Sequence, residues 1–424
     1  MQNATLWRAL LGVERTVVEG LEFDEDAQVL VAQVRPTRRA GSRCGRCQRR
    51  SPAYDRGEGR RRWRALDLGT IPVWLEADAP RVNCPEHGPT VRAVPWARHA
   101  AGHTRAFDAQ VAWLATHCSK SAIVELMRVA WRTVGSILTR VWAEVEAGGD
   151  RFAGLRRIGI DEISYKRGYK YLTVVVDHDT GRLVWAAPGR DRATVAKFFD
   201  ALGPERCGQL THVSADGADW IAEVVDQKCP HAVRCADPFH IVRWATDALD
   251  EVRRQAWNTA RRAGHTRRNG RGRIQATGPA LTLKNSRYAL WKNPENLTDR
   301  QRAKLAWIAK TDPRLYRAYL LKEGLRVIFQ LPATEAPDAL TAWTSWARRS
   351  RIPAFVALQR RITTHRPAIL AAIEHGLSNG RIESVNTKIR LITRIAFGFR
   401  SPEALIALAM LNLGGHRPRL PGRA

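Results

Sequence analysis

Negative charge falls far short of positive charge in this chain. Its 424 residues carry 41 Asp and Glu against 69 Lys and Arg, giving a net charge of +28. The excess is spread along the whole chain rather than held in one tail. So basic a protein attracts polyanions, and nucleic acid is the first partner to consider. Solubility alone needs far less charge. Long apolar runs are also missing. Nothing approaches the roughly 18 consecutive apolar residues of a membrane span, so no membrane partner is expected. The N-terminus lacks a signal-peptide pattern. Cysteine is sparse, and its count of 7 is odd, which argues against a secreted disulfide framework. Together these absences point to the reducing cytoplasm. The length suggests roughly two to four domains and is ample for a sizeable core.

What is present centres on Arg157–Tyr165, Arg-Ile-Gly-Ile-Asp-Glu-Ile-Ser-Tyr. It reads as a strand with Gly159, Asp161 and Ile163 on one face and Ile158, Ile160 and Glu162 on the other. A β-branched run from Tyr171 to Asp177 and a third strand from Leu183 to Ala187, reached through Asp179-Thr180-Gly181, complete a meander. Alone, Asp161 reads equally as a capped or salt-bridged strand acid. Next come a helix over Thr194–Leu202, a strand over Leu210–Ala215 running into Asp216, a helix over Trp220–Val225 and a strand over Ala232–Asp237. Pro238-Phe239-His240 opens another helix. Meander, helix, strand, helix, strand, helix is the element order of a ribonuclease H-like α/β fold. In that fold the fourth strand lies beside the first, which brings Asp161 towards Asp216.

The region upstream is of another kind. Alternating residues over 15–35 around Asp24-Glu25-Asp26 predict a hairpin, and Trp63–Leu68 and Ile71–Ala77 predict further strands. Among them lie Cys44-Gly-Arg-Cys47 and Cys84-Pro-Glu-His87, a ligand set suited to one tetrahedral structural Zn²⁺. From His103 to Ala147 the period becomes helical. A helix around Phe107, Val111 and Leu114, a short one over Ser121–Met127 and a longer one over Trp131–Val145 predict a helix-turn-helix. Its third helix offers Arg132, Thr133, Ser136 and Arg140 to phosphates and base edges. An ordinary three-helix spacer shares the pattern.

Residues 241 to about 372 read as a helical insertion rich in Arg and Trp. Within it, Arg261–Arg273 is nearly all basic residues, Gly or Asn and is expected to be a loop. It reads equally as a solvated linker or as a DNA-tracking arm bearing Arg267, Arg268, Arg271 and Arg273. Beyond the Asn379-Gly380 turn a helix begins, with Ile382, Val385, Ile389 and Ile392 on an apolar face. Glu383, Asn386 and Arg390 form a separate stripe, suited to metal and phosphate or simply to solvent.

These pieces resemble, over nearly the full length, the transposases of the bacterial insertion-sequence ISL-three family. The resemblance is carried by Ser378-Asn379-Gly380-Arg381-Ile382-Glu383 through Asn386, Lys388 and Ile389, and by Phe397-Gly398-Phe399-Arg400. Gly159-Ile160-Asp161-Glu162, Asp237-Pro238-Phe239-His240 and Leu283-Lys284-Asn285-Ser286-Arg287-Tyr288 also carry it. Cys84-x-x-His87 and Asp216-Gly-Ala-Asp219 depart from the family pattern.

The resemblance implies a DDE triad of Asp161, Asp216 and Glu383 holding two Mg²⁺ or Mn²⁺ ions, with Asp161 bridging. Asp237, His240 and Asn386 are candidates for supporting it, although Asp237 and His240 serve equally well as a helix start. It further implies a homodimer working on paired inverted repeats and target DNA in the bacterial nucleoid, by cleavage and then strand transfer. The expected organisation is a β-rich zinc module (1–98), a helix-turn-helix (99–150), and a catalytic core (151–240 and 373–424) split by the insertion (241–372). Two alternatives are an inactive DNA-binding repressor of the element and a ribonuclease H-like nuclease without strand transfer.

Overall fold

Alternation of β-branched and polar residues forms the strands of this protein, and capped amphipathic stretches form its helices. The computed structural model describes residues 2–216, 218–264, 266–268 and 274–423. The chain divides into two units, one running to Arg151 and resuming at Lys388, the other comprising Phe152–Thr387.

In the first unit, helix α1 (Gln2–Leu10) precedes the hairpin β1 (Thr16–Asp24) and β2 (Val29–Pro36). Then follow β3 (Ala53–Asp55), β4 (Arg60–Arg64), β5 (Val73–Asp78), β6 (Arg81–Cys84) and β7 (Gly88–Val91). One sheet has the order β1-β2-β5-β4, and its core holds Val34, Trp63, Leu75 and Trp96. A smaller sheet has the order β3-β6-β7. Helices α2 (Arg105–Ala115), α3 (Lys120–Met127) and α4 (Trp131–Gly148) follow. Thr104 caps α2 and Ser119 caps α3, each side chain accepting a backbone N–H.

The second unit opens with β8 (Arg157–Lys166), β9 (Lys170–Asp177) and β10 (Leu183–Pro188). Helices α5 (Arg192–Leu202) and α6 (Pro204–Cys207), strand β11 (His212–Ala215), helix α7 (Asp219–Lys228) and strand β12 (Val233–Ala236) complete the sheet region. The sheet order is β10-β9-β8-β11-β12. The meander strands pair antiparallel, whereas β11 pairs parallel with both β8 and β12. One face buries Ile158, Ile160, Val175 and Val213 against Val195, Phe198, Phe199, Ile221 and Val224 of α5 and α7. Burying such side chains contributes about 1.5–3 kcal/mol each.

Helix α8 (Pro238–Arg262) leaves the sheet region, followed by a short hairpin of β13 (Thr266–Arg268) and β14 (Ile274–Ala276). Within the run expected to be a loop, Arg261 and Arg262 close α8 and Thr266–Arg268 form a paired strand, while residues 265 and 269–273 lie outside the described residues. Then come α9 (Gly278–Lys284), α10 (Arg287–Trp291), α11 (Asp299–Thr311), α12 (Pro313–Ile328), α13 (Ala336–Arg349), α14 (Pro353–Thr364) and α15 (Arg366–Glu374). They share a core that includes Leu249, Leu321, Trp343 and Phe355. Helix α16 (Gly380–Ile395) starts in the second unit and ends in the first, where α17 (Pro402–Leu413) follows. Among the described residues no helix is long and apolar enough to cross a membrane.

Candidate active site

Strand β8 presents Asp161 to α16. Asn386 Nδ2 donates to Asp161 Oδ2 at 2.7 Å, and the Glu162 amide donates to Asp161 Oδ1 at 2.7 Å. Gly159 lets the helix approach this closely. A Cβ there would collide with Ile382 and stand 2.8 Å from His178 Nε2. Asp216 directly follows β11, the parallel neighbour of β8, and its Oδ1 accepts from the Ala218 amide at 3.2 Å. Burial pushes the Asp161 carboxyl above its ordinary range, aided by the negative charges of Asp216 and Asp237 and opposed by the Glu162 amide and His240. Glu383 is exposed in the first turn of α16, one helical turn before Asn386.

A buried polar chain holds the start of that helix. Ser214 Oγ donates to Asn379 Oδ1 at 2.7 Å, and His178 Nε2 lies 2.7 Å from the same hydroxyl. The Asn379 amide donates to Asp237 Oδ1 at 3.4 Å, and the Asn379 carbonyl accepts from the Glu383 amide at 2.8 Å. Arg381 donates to the carbonyls of His178 and Asp179. Asp237 also caps α8 and accepts from His240 Nδ1 at 2.7 Å, a bond that raises the imidazole pKa. Asp237 thus joins the start of α8 to the start of α16.

Two buried polar atoms at this site have no hydrogen-bond partner, Asn379 Nδ2 and Asn386 Oδ1, and Glu162 Oε1 on the other face of β8 has none either. Buried polar atoms without partners are costly, and their concentration beside acids marks a place built for polar or charged ligands. Hard carboxylate oxygens, half-buried on Asp161 and Asp216 and exposed on Glu383, suit hard divalent ions. Asp161, Asp216 and Glu383 do not, however, close on one another as tightly as the ligands of the cysteine cluster, the one set of three or more among the described residues with all ligand atoms within 4.8 Å.

That cluster is Cys44, Cys47, Cys84 and His87. Cys47 Sγ lies 3.6 Å from Cys84 Sγ, and His87 Nδ1 lies 3.8 Å from Cys44 Sγ and 3.7 Å from Cys84 Sγ. A tetrahedron with Zn–S arms of about 2.3 Å has edges of about 3.8 Å. Burial opposes ionisation of Cys84, but bonds from His87 and the Glu86 and His87 amides bring its thiol down to about 6.

On α4, Arg132 and Ser136 are exposed and Thr133 is half-buried. Arg140 departs from its expected place at the DNA. Its Nε and Nη2 each donate at 3.0 Å to Asp108, which is wholly buried and also pairs with Arg98. A buried carboxylate needs its cations, so Arg140 is a tie within the helical bundle. Arg390 is exposed on α16. Arg267 and Arg268 lie on β13, while Arg271 and Arg273 fall outside the described residues.

A model of a transposase domain matches residues 158–409, more than half of the chain. The helix-turn-helix domain of transposase family ISL3 matches residues 92–142. The zinc-finger of transposase IS204/IS1001/IS1096/IS1165 matches residues 40–87. The chain belongs to the ISL3 family of transposases. Similar proteins include the transposase for insertion sequence element IS1557 from Mycobacterium tuberculosis, in strains CDC 1551 / Oshkosh and ATCC 25618 / H37Rv. Each is 66% identical over 436 residues, spanning 100% of this chain and 98% of the relative. The transposase for insertion sequence element IS1001 from Bordetella parapertussis is 26% identical over 415 residues, spanning 95% of this chain and 96% of that one. This ISL3 transposase thus unites a zinc-finger region, a DNA-binding helix-turn-helix and a transposase domain.

Nothing in the sequence singles out Arg190, His178 or Ser214, and Glu162 and Asn379 stand there only as a strand residue and a turn residue within the runs that carry the resemblance. Strand alternation set Glu162 on the face opposite Asp161, and the others carry no metal-ligand spacing. Two signals were nonetheless available: an acid in so apolar a strand, and Asn379 within the run that carries the family resemblance.

Proposed function

We propose that this transposase binds the terminal inverted repeats of its own insertion sequence and moves it by metal-dependent cleavage and strand transfer. Asp161, Asp216 and Glu383 are the reacting-site acids. The observation that carries this reading is the 2.7 Å bond from Asn386 to Asp161, which ties the Glu383 helix to the first acid's strand, with Asp216 at the end of the adjacent parallel strand. The sheet order, with the meander beside two parallel strands, supports a ribonuclease H-like core interrupted by the helices from α8 to α15. Residues 151–240 and 373–387 form that core, 241–372 the insertion, 1–98 the zinc module and 99–150 the helix-turn-helix; the expected last part of the core from 388 onwards falls in the first unit.

Mg²⁺ or Mn²⁺ held by the three acids would activate the attacking oxygen and neutralise charge on the leaving one. The chain's own part is orientation. Asn386 and the Glu162 amide engage one oxygen each of Asp161 and so fix its rotamer. Water first cuts at the element's end, leaving a 3′-hydroxyl. That hydroxyl then attacks a target phosphodiester and displaces a target 3′-oxygen. Zinc on Cys44, Cys47, Cys84 and His87 is structural, since four protein ligands leave no open position. A homodimer brings two ends together.

The test is incubation of the protein with fragments carrying its element's ends, with and without Mg²⁺, and mapping of the cuts. Metal-dependent cuts at the ends are expected. Binding without cuts under all divalent metals would favour a repressor instead.

A further inference from the structure

We propose that Arg190 binds a backbone phosphate of the DNA strand entering the acid site, and that Glu162 holds it in place for this task. The proposal rests on the reading of Asp161, Asp216 and Glu383 as a DNA-cleaving centre.

Arg190 is unusually well fixed for a half-exposed arginine. It lies between β10 and α5, with pinned backbone on both sides. Before it, Gly189 donates its N–H to the Tyr171 carbonyl at 3.0 Å and accepts from Thr173 Oγ1 at 3.0 Å. Gly189 has φ +131°, and Thr194 leaves no room for a side chain there. After it, Asp191 caps α5, accepting from the Thr194 amide at 2.7 Å and its hydroxyl at 2.8 Å. Arg190 Nε pairs with Glu162 Oε2 at 2.5 Å, and its guanidinium carbon stands 5.0 Å from the centre of the Tyr171 ring.

Half of this arginine side chain stays in solvent (50%), whereas Glu162 is almost wholly buried (6%). A guanidinium has five N–H donors in a planar fork, and Glu162 engages the Nε edge. Tyr171 also hydrogen-bonds this guanidinium; the N–H donors that remain in solvent suit a planar acceptor, and a phosphodiester is the acceptor that DNA supplies.

An ordinary neutralising ion pair explains this arrangement poorly. Burying a carboxylate beside other acids is unfavourable, and Glu162 lies in the negative field of both Asp161 and Asp216. Its Oε1 is buried without any donor. Such a group stabilises the fold little, and what it does achieve is to fix a cation one residue from Asp161. Along the same two strands the cationic surface continues to the exposed turn of Lys166, Arg167 and Lys170, where Tyr169 is 90% exposed.

The experiment compares Arg190→Met, Arg190→Lys and the double variant Glu162→Gln/Arg190→Met in metal-free binding to end-bearing DNA across a salt series, with thermal melting as the folding control. Arg190→Met should bind roughly tenfold more weakly, and the slope of log K against log salt should fall by about 0.9, one phosphate's worth. Arg190→Lys should keep the slope but not the full affinity. The double variant removes the buried charge together with its partner, so it should melt no lower than Arg190→Met yet bind DNA just as weakly. Wild-type binding and slope in the double variant would reduce the pair to mutual neutralisation and overturn the proposal, as would an unchanged slope in Arg190→Met. None of these readouts requires cutting. Failure of the cleaving-centre reading would show separately, as normal cutting by Asp161→Ala.

Discussion

Ser214 donates its hydroxyl hydrogen to Asn379 across a sequence separation of 165, and both side chains are buried. Because that hydrogen is committed, the same oxygen accepts from His178, whose Nε2 therefore carries a hydrogen. Ser214→Ala strands two buried groups at once, at about 1–3 kcal/mol each. We expect a lower denaturant midpoint with an unchanged m-value, and cleavage reduced more than end binding. Normal cleavage by a folded Ser214→Ala protein would show that the start of α16 is positioned by other means.

Acid should weaken this same lock. Burial, with Arg381 and Arg157 nearby, holds the His178 imidazole down to about 4, against 6.5 when unperturbed. Between those values the unfolded chain takes up a proton that the folded chain refuses, so stability falls as pH falls. The contribution is intact above pH 6.5 and is lost towards pH 4, amounting to about 3 kcal/mol across the window. Denaturant melts of wild type and His178→Gln should differ in their pH slope within the window and run parallel above it.

Alanine at Asp161, Asp216 or Glu383 should abolish cleavage and strand transfer while leaving end binding nearly intact. Each acid is assigned to metal rather than to DNA, and its loss removes negative charge near phosphate. Gel-shift and cleavage assays on one DNA preparation check this, and cutting at normal rate by any of the three removes that residue from the triad.

Purified protein should contain about one zinc per chain. Cys44→Ser should lose the metal and unfold the zinc module, because binding and folding are coupled in such sites. Elemental analysis without zinc, or full end binding by Cys44→Ser, would contradict the assignment.

Specificity and grip should separate by region. Changing Arg132, Thr133 and Ser136 should erode preference for cognate ends, whereas neutralising Arg267, Arg268, Arg271 and Arg273 should weaken all DNA and flatten the salt dependence by about 0.9 per lost phosphate contact. Arg140→Ala should instead lower the melting temperature, since it deprives the buried Asp108 of a partner. Competition binding over a salt series distinguishes these outcomes.

Where local chemistry dictates structure, the sequence was readable. The meander around Asp161, the helix after Asn379-Gly380 and the Cys44-x-x-Cys47 knuckle all follow from period, turn residues or ligand spacing. The pairing of Arg140 with Asp108 is not legible in the sequence, because helical period puts Arg140 on a polar side but does not reveal that a buried acid lies opposite. The pairing of Thr266–Arg268 is not legible in the sequence, because so polar a stretch shows no strand alternation and its pairing depends on a partner strand. The chain from His178 through Ser214 to Asn379 was invisible for a related reason: each member is an ordinary polar residue until the fold brings distant segments together.

The interleaving of the two units has a consequence for synthesis. Asn386 follows Asp161 by 225 positions, which at roughly 5–20 residues per second is about 10–45 s of translation. The unit that carries the helix-turn-helix is also unfinished until α17 arrives, with Gly135 of α4 drawn close enough to Ala404 that an added Cβ would stand 3.3 Å from it. A chain that stops before α16 lacks the Asn386–Asp161 bond of the second unit and the segment from Lys388 that belongs to the first. The final stretch of translation therefore completes both units.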